Sequence, residues 1–208
     1  MNTLLSDDVR GIPFCDIPSA LVKATIPVHK WHRTTTGALE DFMEMLRTEA
    51  VSLHRENGRL TLHIMVAVPY IGHAGTRMQE LYEAYQLRQD ERIPGRVCYK
   101  SRLFKGSLGE TMHRYWDGRI ENGLAATRRG IREELGWDDS SLYDLSAWHG
   151  DTWETSEPAP SDKYLGLYDV YHRYKTHCIV SDELYNPEGY THIDTAKRKK
   201  EVFLWRDI

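Results

Sequence analysis

Gly118-Arg119-Ile120-Glu121-Asn122-Gly123-Leu124 leads into Arg128-Arg129-Gly130-Ile131-Arg132-Glu133-Glu134-Leu135-Gly136-Trp137. The first run reads as a tight, glycine-bounded turn. The second reads as a short helix that a glycine stops. Glu133 and Glu134 then fall in the last helical turn, where the negative end of the helix dipole disfavours carboxylates. A hard divalent cation would outweigh that cost, because Mg2+ and Mn2+ prefer oxygen ligands. The competing reading is a solvated amphipathic helix with an Arg129–Glu133 i,i+4 pair.

The stretch resembles the Nudix box, whose family form is G-x5-E-x7-R-E-U-x-E-E-x-G-U, with U aliphatic or bulky apolar. Arg129, Ile131, Glu133, Glu134, Gly136 and Trp137 fall on R, U, E, E, G and U in unbroken register. Gly118, Glu121 and Gly123 resemble the common opening G-x-x-E-x-G. Three departures stand beside these matches. Gly130 replaces the glutamate after the arginine, Leu124 replaces the glutamate after Gly123, and the segment between loop and helix is a few residues shorter. Beyond the box, Tyr164-Leu165-Gly166-Leu167-Tyr168, Tyr171-His172, Pro187-Glu188-Gly189-Tyr190 and Lys200-Glu201-Val202-Phe203-Leu204-Trp205 loosely resemble the strands that follow the box in some Nudix-like proteins.

The resemblance implies an α/β protein, a Nudix-type α/β/α sandwich with a mixed sheet. Residues 96–208 would form the core, and residues 1–95 an N-terminal extension of helices and a strand within one domain. It further implies Mg2+- or Mn2+-dependent cleavage of a phosphoanhydride bond in a nucleoside diphosphate linked to another group. Glu133 and Glu134 would be metal ligands and catalytic, and Arg129 would orient Glu133. Gly118, Glu121 and Gly123 would form the loop against the bound group. The alternative is a module that binds a nucleotide or protein without hydrolysing it, the acids at positions 124 and 130 having been lost.

Metal-assisted hydrolysis needs carboxylates that converge on one small space. Adjacent helical residues point about 100° apart, so Glu133 and Glu134 cannot line one ion symmetrically. Position 130 shares their face but carries no side chain. Candidate replacements are Glu110, Glu121, Asp182, Glu183 and Glu188, each of which reads first as a surface carboxylate. Gly130 also reads as a site of close helix packing. Among the 10 histidines, His29, His32, His113, His149, His172 and His177 beside Cys178 are zinc candidates without a zinc-site spacing. His63 and His172 fall in strands and are placed near a cleft. No Gly-x-Ser-x-Gly run is present, and Gly72-His73-Ala74-Gly75 is a turn rather than a dinucleotide fingerprint. Trp148, Trp153, Tyr164, Tyr168, Tyr171, Tyr174, Tyr185 and Tyr190 could stack a nucleobase or pack on a sheet.

The 208 residues are 40% hydrophobic and 28% charged, which supports a packed core and excludes a disordered chain. A net charge of −4 argues against a protein built around a nucleic-acid backbone. The basic run Lys197-Arg198-Lys199-Lys200 reads as a solvated turn. The expected partner is a small nucleotide or nucleotide-sugar ligand. Residues 1–95 are a candidate surface for a second copy, although no heptad seam runs through them. Cys15, Cys98 and Cys178 form no Cys-x-x-Cys pair, which suggests a reducing compartment. The first ten residues lack a signal-peptide core, and no apolar run reaches transmembrane length, so the expectation is a cytoplasmic protein without a membrane.

Periodicity gives the remaining elements. Residues 1–36 read as irregular, with a candidate strand at 20–28. Leu39, Phe42, Met43, Leu46, Ala50 and Leu53 predict a helix over 37–55, capped at Thr36 and ended by Asn57-Gly58. Strict alternation from Leu60 to Val68 predicts a strand closed by Pro69. Met78, Leu81, Tyr82, Tyr85 and Leu87 predict a helix over 75–90. Strands are expected at 96–104, 142–153, 165–180 (as one strand or a hairpin) and 202–206, with Gly106-Ser107-Leu108-Gly109 a loop before the box.

Overall fold

The computed structural model describes residues 11–31, 38–75, 78–89, 97–101, 110–137, 149–194 and 199–208. Three α-helices and a ten-stranded sheet among these residues make the chain mixed α/β. The helices are α1 (Ile17–Lys23), α2 (Ala38–Thr48) and α3 (Gly123–Leu135). The strands are β1 (Val51–Glu56), β2 (Arg59–Ala74), β3 (Met78–Gln89), β4 (Val97–Ser101), β5 (Glu110–Thr111), β6 (His149–Thr155), β7 (Ala159–Pro160), β8 (Tyr168–Val180), β9 (Tyr190–Asp194) and β10 (Lys199–Asp207).

Contacts divide the chain into two compact units. The first takes its described residues from Met1–Val66, Thr111–Asn122 and Trp153–Arg173, the second from Ala67–Glu110, Gly123–Thr152 and Tyr174–Ile208. β2 and β8 each contribute residues to both units.

In the first unit, β1 and β2 form an antiparallel hairpin whose register runs from Val51↔Ile64 to Glu56↔Arg59. Asn57 (φ 49°) and Gly58 (φ 76°) make the two-residue turn, the left-handed pair that an Asn-Gly hairpin loop requires. The helix expected over 37–55 therefore ends at Thr48, and its last third is a strand. Val51 and Leu53 are apolar at a spacing of two. Together with Leu46 and Ala50 they mimicked a helical stripe, but the turn and the pairing with β2 decide for strand. The expected cap at Thr36 lies outside the described residues. The core joins Ile17, Leu21, Trp31, Phe42, Leu46, Leu53, Leu62 and Tyr164. Trp31, Phe42 and Tyr164 meet at centroid distances of 4.9–5.0 Å. The candidate strand at 20–28 is instead α1 followed by a turn. Pro18 sits in the first helical turn, where its missing N–H costs nothing.

In the second unit, β10 lies between β3 and β9, and β4 flanks β3, all antiparallel. The helix expected over 75–90 is strand β3. Leu81, Tyr85 and Leu87 satisfy a period near four and a period of two alike, and pairing with β10 along nine positions selects the second. β2 runs on past Pro69 to Ala74, so the proline removes one ladder donor without ending the strand. Ile71, Leu81, Ile131, Leu135, Trp137, Cys178, Val180 and Phe203 form this unit's core.

The strands expected at 96–104, 165–180 and 202–206 correspond to β4, β8 and β10, and β8 is a single strand. Residues 142–148 of the strand expected at 142–153 lie outside the described residues, as does the Gly106–Gly109 loop. Cys15 and Cys178 are free thiols, and burial pushes the Cys178 thiol up to about 12.

Candidate functional site

The box residues form α3 as the sequence predicts. Ala126, Thr127, Gly130, Ile131 and Leu135 are buried, a spacing that turns one stripe inward. Thr127 Oγ1 donates to the Gly123 carbonyl at 2.8 Å. Gly136, at φ 70°, ends the helix, its N–H reaching the Arg132 carbonyl at 3.0 Å. Arg129, Glu133 and Glu134 are partly exposed.

Arg129 Nη1 stands 3.2 Å from Glu110 Oε1 and 3.5 Å from Glu133 Oε1. The Arg129 side chain is only 16% exposed, so its two pairs are partly shielded from water. Gly130 is what allows Glu110 to come this close: a Cβ built at position 130 would stand 3.0 Å from the Glu110 Cβ. Burial raises the Glu110 carboxyl above its ordinary value. The Arg129 charge and hydrogen bond oppose that rise, and the Glu133 and Glu134 charges reinforce it. Glu133 and Glu134 thus both act electrostatically on Glu110, and Arg129 pairs with Glu110 and Glu133, an oxygen-rich and acid-excess group suited to a hard cation.

Each of the three opening-loop residues has a local structural contact. Gly118, at φ 82°, closes a turn in which its N–H donates to the Tyr115 carbonyl at 2.9 Å. Glu121 is buried in the first unit. Its Oε2 accepts from the His113 N–H at 3.0 Å, and its own N–H donates to the His113 carbonyl at 2.9 Å. Gly123 is a packing glycine, because a Cβ there would overlap the Tyr174 ring. Of the proposed replacement acids, Glu110 meets α3 through Arg129 and Gly130. Asp182 pairs with His73 at 2.9 Å, and Glu183 and Glu188 are exposed.

A second cluster lies in the first unit; the sequence pointed to His63 and His172 but not to His54 or Glu56. The β1–β2 register sets Ser52 opposite His63 and His54 opposite Thr61. Ser52, His54, Glu56 and His63 then share the hairpin face opposite Leu53 and Leu62. His63 Nε2 meets Glu56 Oε1 at 2.8 Å, and His63 Nδ1 meets His172 Nε2 at 2.9 Å. Thr155 Oγ1 lies 3.1 Å from His172 Nδ1. The His54 ring packs on His63 at 4.3 Å, with its Nε2 2.7 Å from Ser52 Oγ. Ligand atoms of His54, Glu56 and His63 all lie within 4.8 Å of one another. Burial first, then the neighbouring His63, holds His54 and His172 below the ordinary histidine range. The legible signal was Ser52-x-His54-x-Glu56 joined through Asn57-Gly58 to His63. Read as a hairpin it aligns the side chains, whereas read as a helix it scatters them.

Ser52 also lines a cavity of about 650 Å³ with Leu46, Arg47, Arg114, Tyr115 and Trp116. Of the other histidine candidates, His113 bridges to Glu49 through its backbone and His177 stacks on Tyr70 at 4.8 Å. His32 lies outside the described residues. Comparison with known proteins returns no matching family profile, no matching curated protein and no matching solved structure.

Proposed function

We propose that Glu110, Glu133 and Glu134 hold Mg2+ or Mn2+ on α3, and that the chain is a Nudix-like hydrolase. Its substrate would be a nucleoside diphosphate linked to a second group, cleaved at the phosphoanhydride. The observation that carries this reading is the seating of Glu110 over Gly130. The carboxylate missing from the helix is supplied from β5, against the same Arg129 that pairs with Glu133. Bound metal would polarise the phosphoryl group and activate water. Arg129 holds Glu110 and Glu133 on one side of the helix and offsets part of their mutual repulsion. The proposal includes the Nudix-type arrangement of helices and sheet, a nucleotide-sized ligand and a cytoplasmic setting.

The test is calorimetric titration of Mn2+ and Mg2+ into the wild type and Glu134→Gln, with and without ADP-ribose, alongside assay of phosphoanhydride cleavage. Metal binding that needs Glu134, strengthens with the nucleotide and accompanies turnover supports the hydrolase. Absence of metal binding in every combination sinks it. One observation favours a second reading, a binding module: Arg129 already ties up two of the three carboxylates. Nucleotide binding without turnover in either metal selects that reading.

A further inference from the structure

We propose that His54, Glu56 and His63 form a separate site for a zinc-type divalent cation, with His172 as a positioning residue behind His63. This site lies in the first unit and uses none of the α3 carboxylates. Two imidazoles and one carboxylate suit borderline first-row cations rather than Mg2+.

Metal-bound tautomers would give each nitrogen a role that the contacts accommodate. When His54 Nε2–H donates to Ser52 Oγ, Nδ1 presents a lone pair, and Nδ1 has no hydrogen-bond partner among the described residues. His54 is 6% exposed, so this lone pair is shut away from water unmatched. A cation is one species that satisfies it. His63 Nε2 stands against Glu56 and Nδ1 against His172 Nε2; a cation that displaces the proton from Nε2 would leave the proton on Nδ1, from which it would donate to His172 Nε2. His172 Nδ1–H is in turn within reach of Thr155 Oγ1. A ligating histidine whose far N–H is held by a fixed acceptor is the usual support for a metal-bound imidazole.

The spacing is close to what a tetrahedral ion needs. Donor atoms around such an ion stand about 3.4 Å apart. The His63–Glu56 contact of 2.8 Å and the 4.8 Å span of the three donors bracket that value. Three protein ligands leave a fourth position for water or a ligand, as in zinc sites that do chemistry.

The experiment uses the full chain freed of metal by chelation and titrated with Co2+, read by visible absorption and by competition with Zn2+. The expected result is one equivalent of Co2+ with four-coordinate bands, displaced by Zn2+, in the wild type and Glu134→Gln alike. His63→Ala and Glu56→Gln should each lose at least tenfold in affinity, while His172→Gln loses about 10–100-fold with the bands still formed at saturation. Circular dichroism verifies that each variant is folded, and Glu56→Gln carries the test if His63→Ala is not. The proposal is overturned if the wild type binds no stoichiometric Co2+, leaving the Thr155–His172–His63–Glu56 chain as a self-satisfied relay. It is also overturned if Glu56→Gln binds as the wild type does, or if Glu134→Gln abolishes the bands.

Discussion

At the scale of the residue, Gly130 and Glu110 are one feature. Alanine in place of a helical glycine normally adds about 1 kcal/mol. Gly130→Ala should return clearly less than that, because its Cβ presses on the Glu110 Cβ at 3.0 Å. Urea unfolding measures the shortfall, and Mn2+ titration of the same variant should show weaker binding as Glu110 is displaced. Glu110→Gln keeps the shape and removes the charge. If the α3 site binds metal as proposed, it should lose at least tenfold in Mn2+ affinity, about 1.4 kcal/mol, with unchanged far-UV dichroism. Unaltered affinity would show that Glu110 is only Arg129's structural partner. The sequence made Glu133, Glu134 and Arg129 visible because they share one helix. It offered Glu110 as one acid among five, since only folding shows which distant carboxylate meets an empty helical position.

Between elements, the β1–β2 turn shows why periodicity alone went astray. Asn57-Gly58 is a strong hairpin signal, yet the apolar positions before it fit a helix equally well for several residues. Once the turn is taken as a hairpin, the Leu60–Leu62 alternation demands a partner strand, and Val51–Glu56 is that strand. Gly58→Ala places a side chain in the left-handed region with no steric neighbour, so backbone strain is the main cost. A loss of about 1–2 kcal/mol is expected in urea unfolding. If the hairpin positions the histidine cluster, Co2+ affinity should fall in the same variant. The strand β3 was harder to read: leucines and tyrosines at mixed spacing carry no turn signal inside the run, and its pairing partner β10 lies more than a hundred residues away in sequence.

For the whole molecule, pH dependence tests a buried acid that neither candidate site uses. Asp169 in β8 is 9% exposed, and its Oδ1 has no hydrogen-bond partner among the described residues. Burial raises its carboxyl above 3.8, with Asp162 adding to the rise and the Ser161 hydrogen bond opposing it. A folded-state value above the unfolded one means that the folded chain holds this proton more tightly. The stability it contributes is complete below 3.8 and is lost as pH climbs through the raised value. Asp169→Asn should therefore gain stability relative to the wild type as pH rises from about 4 to about 7, read as unfolding free energies in urea. An identical difference in wild type and variant would show the carboxyl to be solvated. The division into units escaped the sequence for a topological reason: no composition shift marks a boundary that passes through the middle of two strands. That interleaving has a consequence for synthesis. A ribosome releases the chain from its N-terminus onward, so β1 and the first half of β2 emerge long before Trp153–Arg173 can complete their unit. The edge of β3 waits longer still, until β10 has been made. Most of the polypeptide must therefore be exported from the exit tunnel before either unit can close, which leaves the nascent hairpin dependent on its own turn, or on a chaperone, in the interval.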